Sequence, residues 1–219
     1  MLEGLFGLLA FFGTILFFVI IVILIAIALL TRHPQRIKKI GRVVVIWIGV
    51  YLLVLLSFSL LSKPRFIEPG KERCYDEMCY SVTSVTTAQT LGTAPNLLAA
   101  KGEFYVITIQ LRNDSKGTAQ KPSRPDLFII DARGKQISQI INAGDELGLP
   151  IGQQVTAAQL WDQRIPSGEI VTRTIAFDLP AGIKQPGLVV TEGVGPLSAV
   201  IIGDEGSLFH AKTEFPLVP

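Results

Sequence analysis

The chain has 219 residues, of which 49% are hydrophobic and 17% charged, and its formal net charge is +2. Charged residues make up about 25% of an average soluble domain, so this composition argues against a freely soluble protein. The apolar excess is concentrated in residues 4–31 and 43–62, which contain no Asp, Glu, Lys, Arg or His. The 157 residues from 63 to 219 are enough for one further domain, which excludes a large helical channel.

The first apolar run predicts a membrane-spanning helix over about residues 5–30. Its 26 residues at about 1.5 Å each reach about 39 Å, more than the ~30 Å hydrocarbon core of a bilayer. A cleaved signal peptide is the rival interpretation, but signal peptides have a shorter apolar core with basic residues before it. Only Glu3 is charged ahead of this run, so we expect an uncleaved helix.

The second apolar run predicts a spanning helix over about residues 43–61, because a backbone in lipid must satisfy its own hydrogen bonds. Residues 32–42, between the two helices, carry five basic residues and no acid. Short connectors of this kind stay in the cytoplasm. We therefore expect a transmembrane hairpin over residues 1–62 in a bacterial inner membrane, with both termini on the periplasmic or extracellular side.

The two predicted spans contain no charged residue and no histidine, which argues against a transporter or a membrane haem protein. Gly7, Ala10 and Gly13 recur every three residues along the first helix. Small residues let a neighbouring helix approach closely, so they predict a packing face for the second helix or for a partner. The alternative is a face without any role, since glycine and alanine are common in membrane helices.

A polar, proline-containing stretch at residues 63–73 predicts a linker, and the only two cysteines of the chain follow it. Outside the cytoplasm Cys74 and Cys79 would lie in an oxidising compartment, which favours a disulfide. Its short ring would contribute about 2 kcal/mol on the chain-entropy estimate. A redox or metal site is the alternative. The C-x4-C spacing and the lack of an adjacent lysine or histidine argue against it.

Residues 74–219 predict an antiparallel β-sandwich with a C-terminal tail. At least seven segments rich in β-branched and aromatic residues alternate with turn signals, as in known sandwiches. The predicted strands begin near Tyr80 and continue at 104–111, 127–130, 136–141, 170–179, 188–190 and 199–202. Residues 142–168 form a long connection rich in Gly, Pro and Gln, which is typical of a functional or loosely ordered segment.

Five elements follow one another in this region, a long strand and four short segments. They are a long strand ending at Asn113, then Leu127-Phe-Ile-Ile-Asp131-Ala-Arg-Gly134, Ile165-Pro-Ser-Gly-Glu169, Phe177-Asp-Leu-Pro180 and Leu188-Val-Val190. Their order resembles an immunoglobulin-like domain of bacterial extracytoplasmic proteins, the telokin-like domain of unknown function, over about residues 100–192. The resemblance implies a sandwich used in adhesion, assembly or sensing, without catalytic residues. Such domains commonly follow a lipidated cysteine, whereas a two-helix hairpin precedes this one.

The sequence offers no convincing set of catalytic residues. His33 and His210 are expected on opposite sides of the membrane, and no Ser-His-Asp set, zinc cluster or phosphate loop can be assembled. The acid pairs Asp76–Glu77, Asp145–Glu146 and Asp204–Glu205 could bind calcium only if several oxygens converged, and they lie on separate turns. We therefore expect a protein that is not an enzyme and that holds no cofactor and no metal.

Contacts with other molecules are expected from the apolar residues late in the chain. Residues 63–219 carry 15 basic and 17 acidic residues, which provides no basis for binding nucleic acid. Trp161 follows the irregular connection and is either a core residue or a binding aromatic. Phe209, Phe215 and Leu217 lie in a tail that would fray unless something held it, so they are candidate partner contacts.

Together these features predict a non-catalytic accessory or scaffolding subunit of a larger bacterial membrane complex, of the kind found in respiratory and photosynthetic assemblies. Its helices would pack on other integral membrane subunits and on the lipid bilayer, and its sandwich would dock an external protein subunit. One alternative is a membrane-anchored binding or sensor module whose loops recognise a ligand. Another is a thiol-disulfide catalyst that uses the two cysteines.

Overall fold

The computed structural model describes residues 2–32, 34–68, 70–193, 195 and 197–218. The chain divides into two compact units. One consists of Met1–Pro64 and Gly195–Lys212, and we term it the hairpin unit. The other consists of Arg65–Val194 and Thr213–Pro219, and we term it the sandwich unit. The segment 195–212 therefore belongs with the N-terminal helices and not with the sandwich that the sequence predicts for residues 74–219.

The hairpin unit is built on two helices, α1 (Leu2–Leu30) and α2 (Pro34–Leu61). Both are long and apolar enough to cross a membrane, and only 11% of the apolar window of each is buried within the structure. The core helix of a soluble protein is mostly buried, so these helix surfaces are suited to lipid or to other protein. Aromatic stacking joins the helices, with ring centres 5.8 Å apart for Phe6 and Phe58 and 4.6 Å apart for Phe17 and Trp47.

The helices begin earlier than the sequence predicts. α1 starts at Leu2 and α2 at Pro34, instead of at about residues 5 and 43. Proline is favourable in the first turn of a helix, where its missing N–H has no helical partner, and lysine and arginine are good helix formers. The basic stretch that the sequence predicts as a loop over residues 32–42 is therefore helical from Pro34 onward.

The sandwich unit contains two sheets and one short helix. In chain order its elements are β1 (Arg65–Phe66), β2 (Glu72–Tyr75), β3 (Met78–Leu91), β4 (Leu98–Asn113), β5 (Asp126–Ile130), β6 (Gln136–Ile137), β7 (Ile140–Asn142), β8 (Gln154–Val155), α3 (Ala157–Leu160), β9 (Ile170–Leu179), β10 (Gly187–Thr191) and β11 (Thr213–Pro216). One sheet has the order β1-β11-β10-β5-β6 and the other β2-β3-β4-β9-β7-β8. Paired strands are antiparallel except β1 and β11. The antiparallel β-sandwich predicted from the sequence is thus confirmed.

The sandwich core is formed by alternate side chains of the long strands. In β4 the side chains of Ile107, Ile109 and Leu111 are fully buried, and the residues between them are half-buried. Successive side chains of a strand point to opposite faces, so one face of β4 packs into the core. The opposing sheet contributes Leu127 and Leu188 to the same cluster. Burying each large apolar side chain contributes about 1.5–3 kcal/mol, so this core is the main source of stability.

Four elements that the sequence predicts after residue 62 differ in the structure. The strand predicted at 136–141 is two short strands, because β6 pairs with β5 whereas β7 pairs with β9 in the other sheet. The strand predicted at 199–202 is replaced by a 3-10 helix at Ser198–Val200. The predicted linker 63–73 contains β1 and the start of β2. The tail contains β11, whose pairing with β10 satisfies its backbone and keeps it from fraying.

The long connection 142–168 is held by packing against the core and by a short helix. Leu147 and Leu149 pack against the core. A capping box starts α3, because the Gln159 N–H donates to the Thr156 hydroxyl at 3.3 Å and the Thr156 N–H donates to the Gln159 side chain at 2.8 Å. This single helical turn delivers the residue that follows it, Trp161, to the interior.

Candidate functional site

The Cys74–Cys79 pair forms the disulfide that the sequence predicts, with an S–S distance of 2.00 Å. The two cysteines lie directly opposite each other in β2 and β3, so the bond staples this β-hairpin. A carboxylate oxygen of Glu72 lies within 4.8 Å of both sulfurs. Cysteine binds a metal through its thiolate. Because both sulfurs are engaged in the disulfide, the group provides no thiolate ligand.

The structure buries three of the four residues that the sequence marks as partner contacts. Trp161 is 1% exposed, and Phe215 and Leu217 are each 3% exposed. All three belong to the core cluster of the sandwich unit. Of the two alternatives for Trp161 the structure shows the core residue, and Phe215 and Leu217 lack the exposed surface that a partner contact needs, because the α3 turn and the paired strand β11 carry these side chains inward. Phe209 is 72% exposed and is the candidate of the four that can contact another molecule.

Beside Trp161 lies a buried arginine, Arg173, which the sequence analysis missed. Its Nε donates to the carbonyl of Leu160 at 3.0 Å and its Nη1 to the carbonyl of Thr172 at 2.8 Å. The guanidinium carbon lies 5.8 Å from the Trp161 ring centre, within cation–π range. Burial lowers the pKa of Arg173, and the Glu146 carboxylate opposes this change. These two donors of Arg173 therefore bind backbone carbonyls of its own chain, and the bond to Leu160 connects β9 to α3.

The sequence does contain a signal that Arg173 is buried. Val171, Ile175 and Phe177 occupy the inward positions of the strand predicted at 170–179, and Arg173 has the same parity. A period of two residues places it on the buried face. A charged side chain at such a position is a candidate for a buried hydrogen-bonding role.

A second polar cluster, partly buried, joins Glu192 to Tyr80 of β3. The Tyr80 hydroxyl donates to one carboxylate oxygen at 3.1 Å, and the Ser123 N–H donates to the other at 2.5 Å. Burial raises the pKa of Glu192, these two hydrogen bonds lower it, and the Asp76 carboxylate raises it. Burial also raises the pKa of Tyr80. The two hydrogen bonds connect Glu192, just after β10, to β3 and to the residue Ser123 ahead of β5.

We expect Glu192→Gln to remove part of the pH dependence of sandwich stability. The folded protein holds the Glu192 proton more tightly than the unfolded chain, whose glutamate pKa is about 4.3. The stabilisation is therefore complete below about pH 4 and is lost as the pH rises through the folded pKa. Chemical denaturation of the full chain in detergent should show the variant gaining stability relative to wild type above about pH 4. A difference that stays constant with pH would contradict the raised pKa.

The hairpin unit contains an apolar cavity of about 250 Å³ between its helices. Ala10, Gly13 and Thr14 line it from α1, and α2 contributes Val50 and Val54. The Thr14 hydroxyl donates to the Ala10 carbonyl at 2.8 Å, so it is already used within α1. A Cβ atom at Gly13 would meet nothing within 4 Å. The cavity is therefore an apolar space with room beside Gly13.

The three small residues of α1 have different neighbours. A Cβ atom at Gly7 would overlap the carbonyl oxygen of Ile202, so this glycine permits close approach of the 195–212 segment. Ala10 and Gly13 line the cavity instead. The chain itself thus occupies the small-residue face at Gly7 and leaves the face at Ala10 and Gly13 accessible.

Two clefts lie on the sandwich unit. One, of about 400 Å³, lies at the turn containing Asp131, and another, of about 580 Å³, lies beside Asp178. Both carboxylates accept backbone N–H groups of neighbouring residues. His33 lies outside the described residues, and Nδ1 of His210 is 2.8 Å from the Ala211 carbonyl oxygen. Among the residues described, neither cleft is lined by histidine or cysteine.

Comparison with known proteins finds similarity only to solved structures, and that similarity is low. No protein-family model matches the chain, and no curated protein matches it. An uncharacterized beta-sandwich protein from Clostridium difficile has a TM-score of 0.41 and 12% identity, over 72% of this chain and 96% of that one. The secreted protein MPT63 from Mycobacterium tuberculosis has a TM-score of 0.38 and 14% identity, over 60% and 92%. The yjhA protein from Bacillus subtilis has a TM-score of 0.35 and 13% identity, over 57% and 78%.

Proposed function

We propose that this chain is a non-catalytic accessory subunit of a larger bacterial membrane protein complex. In this proposal α1 and α2 cross the cytoplasmic membrane and pack on integral subunits. The immunoglobulin-like, telokin-like sandwich docks an external subunit. The basic residues at the start of α2 are retained on the cytoplasmic side, which puts the sandwich outside. The disulfide is compatible with that oxidising compartment.

The observation that carries the proposal is the apolar cavity beside Ala10 and Gly13. A cavity of about 150 Å³ can hold a benzene ring, so the 250 Å³ here admits at least one large apolar side chain of a neighbouring helix. Small residues at the cavity wall allow that helix to approach closely. The low burial of both helices leaves the surrounding surface open for the same contact.

Co-purification from native membranes in a mild detergent tests this proposal. Wild type is expected to bring down a stoichiometric set of integral and external subunits, identified by mass spectrometry. Gly13→Leu fills the cavity and is expected to reduce their recovery about tenfold, equivalent to about 1.4 kcal/mol of binding. Gly49→Leu is the matched control, because a Cβ there also meets nothing within 4 Å but the residue does not line the cavity.

The control should retain the partners at the wild-type level. Equal hydrogen exchange of the sandwich amides in all three proteins would show that the substitutions leave that unit intact. Purification of wild type as a solitary chain would overturn the accessory-subunit proposal and favour an anchored binding module instead. Equal recovery of partners with Gly13→Leu would show that the cavity does not carry the contact.

A further inference from the structure

The segment 195–212 leaves the sheets between β10 and β11 and folds onto the helices of the hairpin unit. Near the end of α2 the Ala211 N–H donates to the Ser62 hydroxyl at 2.8 Å. The hydroxyl oxygens of Ser59 and Ser207 lie 3.2 Å apart, and both residues are buried. The later part of the segment is thus fastened to the last turn of α2.

The earlier part of the segment reaches further along the hairpin. The Tyr51 hydroxyl donates to the carbonyl of Val200 at 2.6 Å. Tyr51 precedes the end of α2 at Leu61 by ten residues, which is about 15 Å of helix and half of a ~30 Å hydrocarbon core. On α1, Gly7 admits the Ile202 backbone. The segment therefore lies along the apolar part of both helices and not only at their ends.

The exposed residues of this segment are all apolar. Within its described part, residues 195 and 197–212, they are Leu197 at 63%, Val200 at 38%, Leu208 at 51% and Phe209 at 72%. Asp204, Glu205 and Lys212 are only half-exposed. A loop in water usually shows the reverse, with charged residues outward and apolar residues inward. Large exposed apolar side chains gathered on one short segment indicate a contact with a membrane or with another protein.

Several backbone N–H groups of the segment donate to carbonyls within it. The Val200 and Ile201 N–H groups donate to the carbonyls of Leu197 and Ser198, at 3.2 and 3.1 Å. The Leu208 N–H donates to the Ala199 carbonyl at 3.2 Å. An unpaired backbone group costs several kcal/mol in lipid, so a non-helical segment enters a bilayer only where its polar groups are paired or packed against protein, here the helices of the hairpin unit. A loop in water has no such requirement.

Phe209 adds an independent observation. Its φ is 63°, in the left-handed region, which costs a residue with a side chain roughly 1–2 kcal/mol. The ring is nevertheless 72% exposed within the hairpin unit, so the strained backbone gains no packing inside the chain. Insertion of the ring into an apolar phase would offset this cost, because aromatic rings are favourable at the membrane interface.

We propose that residues 195–212 form a third membrane-inserted element, a wedge that enters the outer leaflet beside the hairpin. Leu197, Val200, Leu208 and Phe209 contact the lipid acyl chains. The occupant is the bilayer because the segment lies against the apolar part of both helices at Gly7 and Tyr51 and because its exposed residues are apolar. The inference rests on the membrane location in the proposed function but not on the partner subunits. The wedge adds two chain connections, at residues 194–195 and 212–213, to the one at residues 64–65 that joins the sandwich unit to the hairpin unit.

Spin labels on the full chain in liposomes test this inference. Single cysteines are introduced by Leu208→Cys in the wedge, Val22→Cys on the exposed face of α1 and Lys135→Cys on the exposed turn after β5. The native cysteines are already bonded to each other. Collision with oxygen, which dissolves in lipid, is compared with collision with a water-soluble nickel chelate. At positions 208 and 22 we expect oxygen to exceed nickel, and at position 135 we expect the opposite order.

The outcomes separate this inference from the proposed function. A water-exposed label at 208 with a lipid-exposed label at 22 would overturn the wedge and leave the anchored helices standing. Water exposure at both sites would overturn the membrane location as well. A label at 208 that is shielded in native membranes but water-exposed in liposomes would show that a protein covers the segment, again overturning the wedge. Leu197→Cys repeats the measurement at a second wedge position and should match position 208.

Discussion

Trp161→Ala is expected to lower the free energy of unfolding of the sandwich unit by about 3–5 kcal/mol. The side chain is 1% exposed and packs edge-on against Tyr80, with ring centres 6.2 Å apart. Truncation leaves a cavity between the sheets and removes the ring beside the Arg173 guanidinium. Hydrogen exchange of the slowest sandwich amides, in the full chain in mild detergent, measures the loss.

Trp161→Phe is the matched control. The indole Nε1 is buried without a hydrogen-bond partner, so phenylalanine removes no hydrogen bond and keeps most of the packing. We expect it to cost clearly less than alanine. A loss below about 1 kcal/mol for Trp161→Ala would be typical of a surface residue and would contradict the burial of this side chain.

Gly7→Leu is expected to detach the 195–212 segment from the hairpin. The new Cβ would overlap the Ile202 carbonyl oxygen, and a backbone atom cannot move aside as the end of a flexible side chain can. The segment would have to shift, which also threatens the hydrogen bond between Tyr51 and Val200. Limited proteolysis of the full chain in mild detergent should show cleavage within 195–212 accelerated about tenfold or more. Such an increase corresponds to a loss of about 1.4 kcal/mol or more in the free energy that holds the segment on the helices.

Gly49→Leu again serves as the control, because it adds the same side chain where no atom lies within 4 Å. Its cleavage within 195–212 should proceed at the wild-type rate. Resistance of Gly7→Leu equal to that of the control would show that Gly7 does not hold the segment in place.

The parts of the fold that local patterns specify were predictable from the sequence. The length of the apolar runs predicts α1 and α2, and the β-branched residues between Phe104 and Leu111 predict the central strand. The cysteine spacing and the expected oxidising compartment predict the disulfide. Each of these inferences needs only neighbouring residues and the solvent.

The 195–212 segment could not be predicted in the same way. Ala199 to Ile202 read as a strand because four small and β-branched apolar residues follow one another. What decides their conformation is contact with Gly7 and Tyr51, which are far away along the chain. Local propensity is overridden by such tertiary contacts.

The candidate site shows the same division. The small residues of α1 predict a packing face, but the sequence does not say that Gly7 is occupied by this chain while Gly13 faces an open cavity. The sequence leaves Trp161 undecided between core and surface, because the α3 turn that buries it depends on a capping box in an irregular connection. Arg173 had a usable signal in its strand parity, which pointed inward.

The native size of the particle that contains this chain shows whether it is an accessory subunit. Membranes solubilised in a mild detergent would be separated on a density gradient, and the chain would be followed by immunodetection beside a known multi-subunit complex. An accessory subunit is expected to sediment entirely with one large particle, in a fixed ratio to the same other subunits across the peak. Sedimentation as a lone chain in its detergent micelle, while the reference complex stays intact, would contradict the account.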